Sequence, residues 1–177
     1  MRYFMFSIIA LTMFFVGGCG PALSLHPLCT NEEVIFDPAL VGQWETTSDE
    51  NWVFRKMEDN HYNVTLKFDR SDSLVLEGRL LRLGDYTFMD VTSGEQVGDN
   101  LLVIPAHVFL RLSLEGDSLG IAYLDDSWLR KNSDLIKHEV LDKHGIVLTA
   151  STKELQDFVM KHAEDEKAFS MAWFRRQ

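Results

Sequence analysis

The chain has 177 residues, with 27 acidic against 17 basic side chains, a net charge of −10, and only two cysteines. A length of this order usually makes one domain. The acidic surplus repels phosphate backbones and no run of basic residues exceeds two, as at Arg175-Arg176, which excludes nucleic-acid binding as a function class. Cys19 and Cys29 alone exclude a multi-disulfide scaffold and a zinc site built on several thiolates.

In chain order, the first element is the apolar run 3–18, "YFMFSIIALTMFFVGG", after the basic start Met1-Arg2. It is short for a membrane span, which needs about 20 apolar residues, and its length and flanks match a secretory signal peptide. Its end, Val16-Gly17-Gly18-Cys19, resembles the lipobox of bacterial lipoproteins: an aliphatic residue, two small ones, then the cysteine that becomes the mature N-terminus. The resemblance implies a signal peptide over 1–18, diacylglycerol on the Cys19 thiol, palmitate-type acylation of the new amino group, and a partner in the membrane itself. Each buried methylene contributes about 0.8 kcal/mol and stable anchoring takes more than one chain, a condition that two or three acyl chains on one residue meet. Gly20 follows where inner-membrane lipoproteins often carry Asp, so the analogy favours the periplasmic face of the outer membrane. A mature chain from Cys19 carries 16 basic and 27 acidic side chains, a net of −11.

Residues 19–33, "CGPALSLHPLCTNEE", contain two prolines and no clear period. They read as the lipidated N-terminus and a tether, with Cys29 a free thiol in it. The domain is expected over 34–177. In "HYNVTLKFD", Tyr62, Val64, Leu66 and Phe68 share one face and His61, Asn63, Thr65, Lys67 and Asp69 the other, the period of two of a half-buried strand. "NWVFRKM" places Trp52 and Phe54 on one face, and "EDN" is turn-like, so 51–69 predicts a hairpin. Strands are also predicted over 73–83, with Gly78 as a bulge, over 86–91, over 101–114 and over 119–124. Pro105 puts an edge or a bend in the third of these. Turns of two to five residues mostly join the strands, which favours an antiparallel meander over parallel βαβ units.

Asp125-Asp126-Ser127 then predicts a capped helix with apolar positions Trp128, Leu129, Leu135 and Ile136. "HEVLDKHGIVLTA" predicts a short hairpin around Lys143-His144-Gly145. Ser151-Thr152-Lys153-Glu154 has capping-box form, and Leu155, Phe158, Val159 and His162 recur at helical spacing, predicting a helix over 152–164. The aromatic tail 168–177 is expected to pack back. A meander with an apolar face removes its edges by closing. The fold expected is therefore mainly β: an antiparallel meander closing into a barrel, with two short helices near the C-terminus. Gly42-Gln43-Trp44 resembles the G-x-W signature on the first strand of lipocalins and related calycins. That resemblance implies a tryptophan at one barrel end, stacked on an arginine from near the C-terminus, with Arg111, Arg130, Arg175 and Arg176 as candidates.

Catalysis is not indicated. The histidines are His26, His61, His107, His138, His144 and His162, with no i, i+4 pair and no His-x-His. His61 and His107 fall opposite the apolar residues of their strands and are expected to face solvent. No P-loop or G-x-G-x-x-G occurs, and the acidic residues cluster in turns and caps. The reading implies no metal, no cofactor and no enzyme. Two functions stay open. One is a lipid-tethered barrel that holds a small apolar ligand near Trp44, Trp52, Phe54, Tyr62, Val64 and Leu66. The other is an envelope interaction protein with a filled core, since Leu, Phe, Trp and Val dominate the inward positions.

Overall fold

The computed structural model describes residues 20–46, 50–67, 73–93, 105–141 and 145–177. The expected Phe68 of the first hairpin, residues 101–104 of the strand predicted over 101–114, and Lys143 and His144 of the later hairpin lie outside these, as does Cys19. Strand β1 (Leu23–Ser24) precedes a meander of seven strands: β2 (Gly42–Glu45), β3 (Asn51–Lys56), β4 (Tyr62–Lys67), β5 (Ser73–Leu83), β6 (Tyr86–Thr92), β7 (His107–Glu115) and β8 (Ser118–Tyr123). Then come α1 (Asp126–Lys131), β9 (His138–Val140), β10 (Ile146–Leu148), α2 (Thr152–Lys161) and β11 (Ala172–Arg176). Each meander strand pairs antiparallel with the next. The last strand, β11, pairs antiparallel with both β8 and β2. The eight strands thus form a closed barrel, and the aromatic tail supplies its closing stave.

The alternation of the sequence sorts side chains into two cores. Inward positions of the barrel hold Trp44, Trp52, Phe54, Tyr62, Val64, Leu66, Leu80, Met89, Leu110, Leu112, Leu119, Ile121 and Phe174. Their neighbours in the opposite phase, Leu81, Phe88, Phe109 and Ala122, lie on the outer face and pack under Trp128, Leu129, Leu155, Phe158, Val159 and Phe169. The barrel wall between β5 and β8 is therefore buried on both sides, which is why those strands read as nearly continuous apolar runs.

Gly78 does not form a bulge. It pairs in register with Tyr62 on one side and Val91 on the other. A Cβ there would meet Met89 Sδ at 2.8 Å and Val64 Cγ2 at 2.9 Å, so interior crowding is what requires glycine.

Within the expected tether 19–33, residues 20–29 are not a spacer. β1 pairs with β10 in parallel and with β7 antiparallel, and Ala22, Leu28 and Cys29 are buried in the outer core. "PALSLHPLC" lacks a period because its apolar residues pack irregularly against a surface already made by the barrel and α2. The first helix also stops short of the expected apolar positions Leu135 and Ile136. Asn132 leaves helical geometry (φ −125°, ψ 28°) while its side-chain amide donates to the Trp128 carbonyl. That bond ends the α-helix, and Ser133–Leu135 continue as one 3-10 turn. The Ser151–Glu154 capping box starts α2 as expected, and α2 ends at Lys161 with His162 as its C-cap. Among the described residues, no helix is long and apolar enough to cross a membrane.

Candidate functional site

The six residues expected around a ligand are brought together in the barrel interior. They are packed against one another. Trp52 stacks on Phe54 at 6.1 Å and meets Phe174 edge-on at 6.1 Å. Phe54 meets Tyr62 edge-on at 6.5 Å. Trp44, Phe54, Tyr62 and Val64 have no solvent-accessible surface. The polar tips inside are satisfied: Trp44 Nε1 donates to the Leu40 carbonyl at 3.0 Å, and the Tyr62 hydroxyl donates to the Asp37 carbonyl and accepts from the Asp37 N–H. Burial drives the Tyr62 hydroxyl up to about 12, so this phenol stays protonated and acts as a fixed hydrogen-bonding post.

The barrel end where β3 turns into β4 is covered by residues 36–41. Phe36 stacks on Tyr62 at 5.2 Å and Lys56 Nζ lies 4.6 Å from the centre of its ring. Of the four arginines open for the stacking role, Arg176 fills it: its guanidinium lies 4.2 Å from the Trp44 ring centre and donates to the Val41 and Ala39 carbonyls. Gly42 is where the chain needs glycine. Its φ is +145°, and a Cβ would sit 2.8 Å from Arg176 Nη1.

Outside the barrel, a row of charged and polar groups lies on the outer face of β4–β7, part of it under the N-terminal segment. Asp90, on the outward phase of β6, is almost completely buried. Its Oδ2 accepts from the Leu28 N–H at 2.8 Å and its Oδ1 contacts His107 Nδ1 at 2.8 Å. Next to it Glu77 contacts His61 at 3.0 Å and Arg79 at 3.1 Å. His61 and His107 therefore leave the interior as expected but are only partly open to solvent, because an acidic neighbour and, for His107, the docked N-terminal segment cover them. The nearby Cys29 thiol is raised to about 12, chiefly by burial and further by the Asp90 charge. A thiol so held is not a nucleophile at neutral pH.

Two recesses open on the outside. One, of about 690 Å³, runs between Ser133–His138 and α2 and includes Glu154, Asp157, Phe158, Lys161 and His162. The His162 ring sits 5.1 Å from Trp128 and 4.9 Å from Phe158. Its Nε2 is buried without a hydrogen-bond partner among the described residues, and burial first, then the Lys161 charge, pushes its pKa down. The other recess, of about 560 Å³, is lined by Asp125, Trp128, Lys131, Asn132, Asp165 and Lys167. Among the described residues no group of three or more His, Cys, Asp or Glu side chains is placed to hold a metal ion.

One pattern passed over in the sequence is Gly116-Asp117-Ser118-Leu119-Gly120, which has the letters of the G-x-S-x-G nucleophile motif. That motif works on a strand-to-helix turn that thrusts the serine out. Here it lies in the two-residue turn from β7 to β8, and Ser118 is the first residue of β8, paired with Glu115 and Arg175. The context the chemistry needs is absent at that serine.

No family model matches this chain, and no curated protein and no solved structure matches it.

Proposed function

We propose that this protein is a lipid-anchored component of a bacterial cell envelope whose barrel serves as a packed interaction domain rather than as a carrier of small molecules. The anchor reading rests on the run 3–18 and on Val16-Gly17-Gly18-Cys19. The observation that favours a packed domain over a carrier is the filling of the interior. Trp52, Phe54, Tyr62 and Phe174 interlock ring on ring, and Gly78 stands where even a methyl group would collide. Ligand-holding barrels keep a mouth and a void. The two recesses described above are instead on the outer surface, beside α1 and α2.

The test uses the full chain expressed in a bacterial host. Radiolabelled palmitate is expected in the protein and not in its Cys19→Ser variant, which should leave the membrane fraction. Label in the variant would refute the anchor. An environment-sensitive apolar dye titrated into the detergent-extracted protein is expected to show no saturable site. Phe54→Glu should then unfold the protein, because an unpaired charge in a packed core costs several kcal/mol. Stoichiometric dye binding, lost in a Phe54→Glu variant that stays folded, would restore the carrier function in its place.

A further inference from the structure

If Cys19 is the anchored residue, the number of free residues after it decides how the domain stands on the membrane. Fourteen free residues over 20–33 would let the domain stand off by up to about 45 Å. The structure leaves none of that reach. The Gly20 carbonyl accepts from the Asp126 N–H at 3.0 Å, and the Ala22 N–H donates to the Leu124 carbonyl at 2.7 Å. Pro21 bridges Asp125, and β1 is bonded on both sides. Consecutive Cα atoms are about 3.8 Å apart, so the acyl-bearing residue lies within one residue of a fixed point on the domain.

What surrounds that point is set by register. β1 and β10 run parallel, Leu23 beside Val147 and Ser24 beside Leu148. Going back along both strands leads to Gly20 on one and to Gly145, the start of the β9–β10 hairpin's second arm, on the other. Asp126 ties the two together, since its N–H holds Gly20 and its Oδ1 accepts from the Ile146 N–H at 2.9 Å. The first arm reaches the same end: Val140 pairs with Ile146 and the Leu141 N–H donates to the Gly145 carbonyl. On that arm Val140 is 58% and Leu141 47% exposed, two consecutive apolar side chains in the open beside the anchor point.

We infer that the protein lies directly on the bilayer, with Val140 and Leu141 of the β9 arm entering the headgroup boundary beside the acyl chains of Cys19. This rests on the anchor reading above. Paired apolar side chains held at the interface add burial to that of the acyl chains. A mature net charge of −11 is repelled by anionic lipid, but the face around the anchor is locally balanced. Arg130 is paired with Asp126 at 2.7 Å, and Lys131 and Lys167 share their recess with Asp125 and Asp165. The β3–β4 connection, with its exposed Met57, belongs to the barrel wall across the ring from β7 and β8, next to which Gly20 is held, and then faces away from the membrane.

The full-length lipoprotein, carrying Leu141→Cys or Met57→Cys labelled with a small environment-sensitive fluorophore, is extracted and reconstituted into phosphatidylethanolamine–phosphatidylglycerol vesicles. Cys29 is buried, its thiol raised to about 12, and takes up no label. Nitroxide-bearing lipids are expected to quench the label at 141 several-fold more than the label at 57, with a blue shift at 141 alone. Equal quenching at both positions would overturn the proposal. Shielding of the 141 label without nitroxide quenching would assign the hairpin to a protein partner and overturn it as well. Mass spectrometry of the N-terminal peptide from the same preparation reports acylation of Cys19 separately, so loss of the anchor is distinguished from loss of the docked orientation.

Discussion

His162 caps the C-terminus of α2 with its ring against Trp128 and Phe158. A helix C-terminus ordinarily favours a charged imidazole. Burial and the adjacent Lys161 outweigh that here, and Asp165 opposes them only in part. The folded ring therefore binds its proton less readily than the unfolded chain, whose ordinary value is 6.5. Above that pH both states are neutral and the native state loses nothing. As pH falls through 6.5, the unfolded chain takes up a proton the native ring refuses, so stability declines until the folded ring is itself protonated. His162→Phe keeps a ring between the two aromatics and removes the titration. Urea midpoints measured between pH 7.5 and pH 5 should fall less steeply in this variant than in the parent; parallel pH profiles would sink the assignment. Other single residues define the barrel's closed end. The Trp44 Nε1–H needs the Leu40 carbonyl as its acceptor, and Arg176 lays its guanidinium on the ring while donating to two carbonyls, a planar fork no lysine reproduces.

At the scale of elements, the segment 20–29 belongs to the domain because Asp90 receives it. The Leu28 N–H and His107 both end on this one buried carboxylate, and Gln156 of α2 donates to the Leu28 carbonyl. Asp90→Ala leaves a buried N–H without its acceptor, a loss of about 2 kcal/mol. The same change loosens the cover over Cys29. Chemical denaturation should register the lower stability, and a thiol reagent should reach Cys29 at rates the parent protein does not show. A variant of full stability with Cys29 still inert would mean that the segment is held by apolar packing alone. Helix lengths are likewise set by single bonds. The Asn132 amide on the Trp128 carbonyl cuts α1 short, whereas the reciprocal Ser151–Glu154 box starts α2 cleanly. There Lys137 first, then the Ser151 bonds, hold the Glu154 carboxyl down at about 2.

At the scale of the whole molecule, the strands were legible because their signal is local. Tyr62, Val64 and Leu66 alternate with polar residues, and burial on one face of a sheet demands that period. The six inward residues named from phase alone do share one core. Phase does not say which strands meet across the interior, so Leu80, Met89, Leu110, Leu119 and Phe174 joined that core only with closure. The closing stave, β11, pairs with β2 from the far end of the chain. No local pattern encodes such a partner, because the free energy of that pairing comes from removing two distant edges together. The choice of Arg176 among four arginines follows from the same closure. The sequence by itself determined the β character, the inward and outward phase of the strands in the first hairpin, and the two helix starts, since periodicity and capping act over a few residues. Only the tertiary structure decided that the barrel shuts with its C-terminal strand, that its interior is filled by rings, and that residues 20–29 are docked rather than free. Those outcomes depend on which surfaces, far apart in the chain, can exclude water from one another.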